Sequence, residues 1–113
     1  MKIYHNPRCK KSRETLSLIQ KKKINIEIIL YLDTNLTVIE IKQILKKLNI
    51  TAIELIRKNE KIWKEQNNKG KLEEIDLINL MIKYPKIIER PIVIRNDKAI
   101  IGRPPENVLK IIS

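Results

Sequence analysis

The 113-residue sequence has no phenylalanine, one tryptophan, one cysteine, one histidine and two glycines. Each shortage excludes something. A single cysteine cannot close an internal disulfide, so the chain does not read as a disulfide-stapled secreted module. A reducing, cytoplasmic setting is expected, or an enzyme that forms mixed disulfides with its partners. One histidine and one cysteine, without further ligands at metal spacing, do not make a metal site, and no bound metal or cofactor is expected. Without phenylalanine the core must be built from aliphatic side chains, and isoleucine is abundant. No apolar run approaches the roughly 20 residues needed to span a bilayer, and Lys2 and His5 interrupt the amino terminus before any signal-like stretch, so no membrane association is expected. Acidic residues are also scarce, 13 against 24 lysines and arginines, for a formal charge of +11. Such a balance can mark a nucleic-acid or anionic partner. Most of these cations are lysines in a chain rich in isoleucine and asparagine, which reads instead as solvated helix faces. No nucleic-acid partner is expected.

At 42% hydrophobic residues the chain is globular and long enough for one real core. Met1 to Tyr4 reads as a short strand. From Cys9 to Lys22, Ser12, Thr15, Leu16 and Ile19 recur at helical spacing, and Lys21-Lys22-Lys23 places cations at the helix's negative end. Ile24 to Leu32 alternates and then becomes continuously apolar, which predicts a buried strand and a parallel strand–helix–strand opening. Asn35 to Tyr84 looks helical throughout. Thr37-Val38-Ile39-Glu40 and Thr51-Ala52-Ile53-Glu54 are capping-box patterns, the second opening a short helix through Leu55, Ile56 and Arg57. Ile62 to Gln66 reads as a further turn or two, Lys69-Gly70-Lys71 as a break, and Leu72, Ile75, Ile78, Met81 and Ile82 as a last amphipathic stripe ended by Tyr84-Pro85. Arg90 to Ile94 and Lys98 to Ile101 form a hairpin about Asn96-Asp97, and proline at 104 and 105 opens a final helix that buries Val108, Leu109, Ile111 and Ile112. The expected architecture is a single α/β domain over residues 1–113: a four-stranded mixed sheet flanked by helices, with a helical insertion at about 35–84 between a βαβ half and a ββα half.

The chemistry concentrates in Tyr4 to Ser12, which holds the only cysteine, the only histidine, Pro7 and the cations Arg8, Lys10 and Lys11. Cys9 sits where a strand ends and a helix begins, facing free backbone N–H groups and the positive end of the helix dipole, which favour thiolate. The alternative reading is a small buried core cysteine. Cys9 and Ser12 make a Cys-x-x-Ser pattern. Ser12 cannot resolve a disulfide as a second cysteine would, so a mixed disulfide on Cys9 needs an external thiol; equally, Ser12 can be a small residue on a packed helix face. His5, if cationic, would stabilise the thiolate further; otherwise it is a packed strand-end histidine. Arg57, Arg90 and Arg103 lie at element boundaries, and the planar fork of arginine suits bidentate binding of a tetrahedral oxyanion. Their convergence is not visible in the sequence. Pro91 follows Arg90, and the generic expectation for that bond is trans, since only about 5–6% of X–Pro bonds in folded proteins are cis.

Taken together, Ile3-Tyr4-His5-Asn6-Pro7, Cys9-x-x-Ser12-Arg13, Ile29-Leu30-Tyr31-Leu32, Leu55-Ile56-Arg57-Lys58-Asn59, Arg90-Pro91-Ile92-Val93 and Arg103-Pro104 run from end to end in the order of a known family. The chain resembles the glutaredoxin-dependent arsenate reductases of the ArsC type, in particular a shorter, less characterised branch. The resemblance implies a thioredoxin-like fold, Cys9 as the nucleophile that attacks arsenate, and Arg57, Arg90 and Arg103 as oxyanion-binding arginines. It also implies His5 as the group that helps keep Cys9 ionised, Asn6 and Ser12 as supporting residues, and Pro91 as the cis-proline facing the site. Glutathione would be the co-substrate and glutaredoxin the partner that reduces the resulting Cys9–glutathione disulfide. The loop here is more basic than in the well-studied members, through Arg8, Lys10 and Lys11. Two other readings use the same fold. One is an Spx-type regulator that binds RNA polymerase, against which stand Ser12 in place of a second cysteine and the reductase-like His5-Asn6-Pro7. The other is a glutathione-handling thiol protein that does not act on arsenate.

Overall fold

The sheet is assembled on two strands, β1 (Lys2–Tyr4) and β3 (Ile92–Arg95), that come from opposite ends of the chain. The computed structural model describes residues 1–67 and 69–112. The other strands are β2 (Glu27–Ile29) and β4 (Lys98–Ile101), and the order across the sheet is β2-β1-β3-β4. β1 runs parallel to β2, while the β1/β3 and β3/β4 pairs are antiparallel. The described residues thus carry a four-stranded mixed sheet with helices, in βαβ and ββα halves. The chain divides into two compact units, Met1–Thr34 with Arg90–Ser113, and Asn35–Glu89.

In the first unit, Ile92, Val93 and Ile94 of β3 are all buried, as a central strand requires. Ile3 and Val93 are fully buried and belong to one apolar cluster with Ile19 of α1 (Lys10–Lys21), Val108 and Ile112. Ser12, Thr15 and Ile19 are the buried face of α1, at the spacing the sequence predicts. The C-terminal segment begins as a 3₁₀ turn, Pro105–Val108, that packs on α1 and continues into α6 (Leu109–Ile112), with Val108 and Ile112 buried and Leu109 and Ile111 only partly so.

The long strand expected over Ile24 to Leu32 is not formed. β2 is three residues long and lies at the sheet edge with β1 as its one partner, and Ile28, Leu30 and Leu32 are 43%, 40% and 40% exposed. A continuously apolar run predicts burial on both faces only if the strand is central. Here strand order overrides composition, and Tyr31 is the residue of this run that is fully buried.

The unit Asn35–Glu89 contains α2 (Val38–Leu48), α3 (Ala52–Leu55), α4 (Lys61–Lys64) and α5 (Glu74–Lys83). The Thr37 hydroxyl accepts from the Glu40 N–H at 3.1 Å, and the Glu54 carboxylate accepts from the Thr51 N–H at 3.1 Å, so both capping signals mark real helix starts. α2 stops at Asn49 in the left-handed region (φ 58°), which asparagine tolerates. α3 is shorter than expected. It ends at Leu55, because Ile56 turns extended and forms an antiparallel bridge with Ile88. Lys69–Lys71, expected as a break, is a 3₁₀ turn, and α5 buries Leu77, Ile78 and Met81 while Ile75, expected on its inner stripe, is 41% exposed. Among the described residues, no helix is long and apolar enough to cross a membrane.

Removing atoms from the sheet core should therefore cost far more than removing them from the surface. Ile3→Ala should destabilise the protein by about 2–5 kcal/mol, and Ile39→Ala, at a side chain 70% exposed, by less than about 0.5 kcal/mol in urea unfolding. Comparable losses in the two variants would refute this assignment of the core.

Candidate active site

The ends of β1, β3 and β4 meet at one place because of register. Tyr4, the last residue of β1, pairs with Ile92, the first of β3, and Ile92 in turn pairs with Ile101, the last of β4. The segment after Tyr4, the segment before Ile92 and the segment after Ile101 therefore leave the sheet side by side. They carry His5 to Cys9, Arg90-Pro91 and Gly102-Arg103 respectively. The Gly102 N–H donates to the Pro91 carbonyl at 2.9 Å, and Arg103 Nε donates to the Arg90 carbonyl at 2.8 Å, which ties the last two segments together. The Arg90–Pro91 bond is cis, and so is Arg103–Pro104.

The loop of Cys9 is held from within. Asn6 supplies three of its bonds. Its carbonyl accepts from the Cys9 N–H at 3.0 Å, its side-chain oxygen accepts from the Arg8 N–H at 3.0 Å, and its own N–H donates to Ser12 Oγ at 3.0 Å. Pro7 occupies the second position of the turn from Asn6 to Cys9, where its fixed φ is favourable. Arg13 closes the loop from the helix side by donating to the Pro7 carbonyl at 2.8 Å. Asn6 and Ser12 are both buried polar residues, and these bonds satisfy them. Cys9 itself is the N-cap of α1, in extended conformation (φ −95°, ψ 122°), with its carbonyl accepting from the Arg13 N–H at 3.0 Å.

Cys9 is 9% exposed as a residue. Burial alone would push its pKa up, since a thiolate loses solvation there. The backbone N–H of Ser12, at the third position of α1, opposes this, followed by the guanidinium of Arg90 and then that of Arg103. Together they win, and the Cys9 pKa lies below its ordinary value. Arg103 Nη2 donates to Cys9 Sγ at 3.6 Å, within the range for a sulfur acceptor. The site thus joins a favoured thiolate to two guanidinium cations, an arrangement suited to attracting an anion and stabilising charge that develops next to sulfur.

His5 departs from the cationic role its position suggested. Its Nδ1 lies 2.6 Å from Ser12 Oγ, and its pKa is lowered, first by burial and then by the positive charge of Arg13. The neutral ring is the favoured form at neutral pH. It acts on the loop through Ser12, whose oxygen also receives the Asn6 N–H, and Ser12 is accordingly more than a small packing residue.

Arg57 belongs to the helical unit. Its N–H donates to the Ile87 carbonyl at 2.6 Å, and its guanidinium pairs with Glu60 at 3.1 Å and Glu89 at 3.9 Å. Sequence reasoning missed Arg13, which shapes both the loop and the charge state of His5, and Thr15, whose fully buried hydroxyl donates to the Lys11 carbonyl at 2.8 Å. Arg13 had a visible signal in its spacing of four from Cys9, one turn along the same helix. Among the described residues no cluster of histidine, cysteine or carboxylates could hold a metal ion.

The sequence matches the ArsC family over residues 4–111. The chain belongs to the ArsC family. Curated relatives include the uncharacterized protein YfgD of Escherichia coli K12, 48% identical over 99% of this chain and 96% of that one. They also include an arsenate reductase of Haemophilus influenzae, 45% identical over 97% of each. The solved structure of an arsenate reductase from Vibrio cholerae superposes with a TM-score of 0.94 at 42% identity, covering 99% of this chain and 98% of that one. The four-stranded mixed sheet flanked by helices is thus the thioredoxin-like architecture of ArsC proteins.

Two titrations check the electrostatics. Alkylation of Cys9 by iodoacetamide should follow a midpoint below about 8.5, the ordinary thiol value, and Arg103→Ala should raise that midpoint; a wild-type midpoint at or above it would contradict the site. The single imidazole signal in NMR should titrate below about 6.5, and Arg13→Ala should move it upward. Because the folded-state pKa of His5 is depressed, its contribution to stability is full above about 6.5 and is lost as pH falls through the folded value. An imidazole midpoint above 6.5 would reverse that sign.

Proposed function

We propose that this protein is a thiol-dependent reductase of arsenate or a similar tetrahedral oxyanion, acting in a reducing cytoplasm, with Cys9 as nucleophile, glutathione as co-substrate and glutaredoxin as the partner that regenerates it. The observation that carries the reading is the thiolate-favouring Cys9 with the Arg103 guanidinium 3.6 Å from its sulfur. Family membership and the arsenate reductases among its relatives support the choice of oxyanion.

In this reading the Cys9 thiolate attacks arsenic(V), an S–As bond forms, and one arsenic oxygen leaves as water after protonation. The thiol of glutathione displaces a second oxygen in the same way. The two sulfurs then join as a Cys9–glutathione disulfide while both S–As bonds break, their two electrons reduce arsenic(V) to arsenic(III), and one water adds back to arsenic so that arsenite departs. With no second cysteine in the chain, the disulfide is opened by an external thiol, the role assigned to glutaredoxin. Arg90 and Arg103 hold the oxyanion and offset the charge that builds up on it. Arg57 is assigned to the same task from its motif, Leu55-Ile56-Arg57-Lys58-Asn59. Asn6, Ser12 and His5 keep the loop in shape, and Pro91 faces it.

The test is arsenate-dependent turnover by the purified protein with glutathione, glutaredoxin and glutathione reductase, followed as NADPH consumption and as arsenite formed. Cys9→Ser should abolish turnover. Arg57→Ala, Arg90→Ala and Arg103→Ala should each lower kcat/KM for arsenate, by about 10²–10³-fold where the donor serves the transition state. Formation of a Cys9–glutathione disulfide without any arsenite would overturn the oxyanion assignment and leave a glutathione-handling thiol protein.

A further inference from the structure

We propose that Gly102 is a positioning residue for Arg103: its lack of a Cβ lets the segment after β4 seat directly on Thr15 of α1 and on Pro91, and this seating holds the Arg103 guanidinium at the sulfur of Cys9. The inference rests on the reading of Cys9 as the reactive thiol and adds the device that places one of its two cations.

A Cβ placed on Gly102 would lie 2.5 Å from Thr15 Oγ1, 2.8 Å from Pro91 Cγ and 3.0 Å from Thr15 Cγ2. Contacts that close are not tolerated, so something must move. The obstructing atoms cannot easily yield. Thr15 is fully buried, β-branched and therefore stiff at χ1, and its hydroxyl is engaged by the Lys11 carbonyl at 2.8 Å, with the Gly102 carbonyl a further 3.4 Å neighbour. Pro91 is a buried ring whose carbonyl accepts from the Gly102 N–H at 2.9 Å. The part left to move is the backbone of residues 102–103. That backbone carries Arg103, whose Nε bond to the Arg90 carbonyl (2.8 Å) and Nη2 contact with Cys9 Sγ (3.6 Å) both depend on where its Cα sits. Backbone shift at Gly102 is thereby converted into loss of charge compensation at Cys9. The close approach does not need glycine for a left-handed conformation, since no glycine of the described residues has positive φ. Space is the reason for it, which is why alanine, the smallest side chain, is already a sufficient probe.

The experiment is the pH dependence of Cys9 alkylation by iodoacetamide in the full-length protein, with circular dichroism and thermal melting as controls for folding. Gly102→Ala should raise the Cys9 midpoint, and a rise of about half a pH unit slows alkylation at pH 7 by up to about threefold. Because the effect runs through Arg103, Gly102→Ala combined with Arg103→Ala should shift the midpoint little further than Arg103→Ala alone. Thr15→Ala removes two of the three obstructing atoms, so Gly102→Ala with Thr15→Ala should fall between Gly102→Ala and wild type. A folded Gly102→Ala protein with the wild-type midpoint overturns the proposal, and so do fully additive shifts from Gly102→Ala and Arg103→Ala. Should Gly102→Ala alone not fold, the Thr15→Ala pair is read against Thr15→Ala: a raised midpoint supports the proposal through the remaining Pro91 contact, and an equal one overturns it. A wild-type midpoint at or above about 8.5 would instead refute the reading of Cys9 itself, so the two failures are distinguishable.

Discussion

The arrangement at the end of the sheet depends on one competition, between the burial of the Cys9 sulfur and the positive charge brought to it. The thiol of a buried cysteine is disfavoured as an anion unless something replaces the water it has lost. The replacement comes from three places far apart in the chain: the Ser12 N–H at the start of α1, Arg90 before β3 and Arg103 after β4. None would suffice at a distance. Register makes them local, since Tyr4 pairs with Ile92 and Ile92 with Ile101. The sheet is in this sense a device for bringing two arginines, 13 positions apart in sequence, to one sulfur.

That competition also gives the small polar residues their purpose. Asn6 and Ser12 are buried, and buried polar groups are costly without partners. Each finds its partners in the loop conformation that turns Cys9 into the N-cap of α1. His5 joins the same network in its neutral form, so it fixes shape where an imidazolium would have added charge. The compensation of the thiolate is left to the Ser12 backbone amide and the two guanidinium ions.

Much of this was legible in the sequence because local signals agreed with one another. Thr37 marked a helix start through the hydroxyl that accepts from the Glu40 N–H, Thr51 marked one through its own N–H bond to the Glu54 carboxylate, and Ser12, Thr15 and Ile19 marked the inner face of α1 by spacing. The position of Cys9 between a strand and a helix, and the arginines at element boundaries, were equally plain. What was not legible depends on neighbours across the fold. Ile24 to Leu32 has the composition of a central strand, but it lies at an edge, where Ile28, Leu30 and Leu32 face outward. The helix through Arg57 stopped early because Ile56 found Ile88 as a bridge partner 32 positions on. The lowered pKa of His5 required knowing that it is buried and that Arg13 stands over the same loop. Gly102 shows the limit most clearly: in the sequence it is one small residue before an arginine, and only the proximity of Thr15 and Pro91 gives it consequence.

The scarcity that opens the sequence has a practical outcome. The one tryptophan, Trp63, is buried in the helical unit, whereas the one histidine and the one cysteine lie in the sheet unit. Indole fluorescence therefore observes the helical unit, and imidazole resonances or thiol labelling observe the sheet unit, without any engineered reporter. A chain so poor in these residues comes with a separate natural probe for each half, and the cooperativity between the halves can be measured by asking whether the probes report the same unfolding transition.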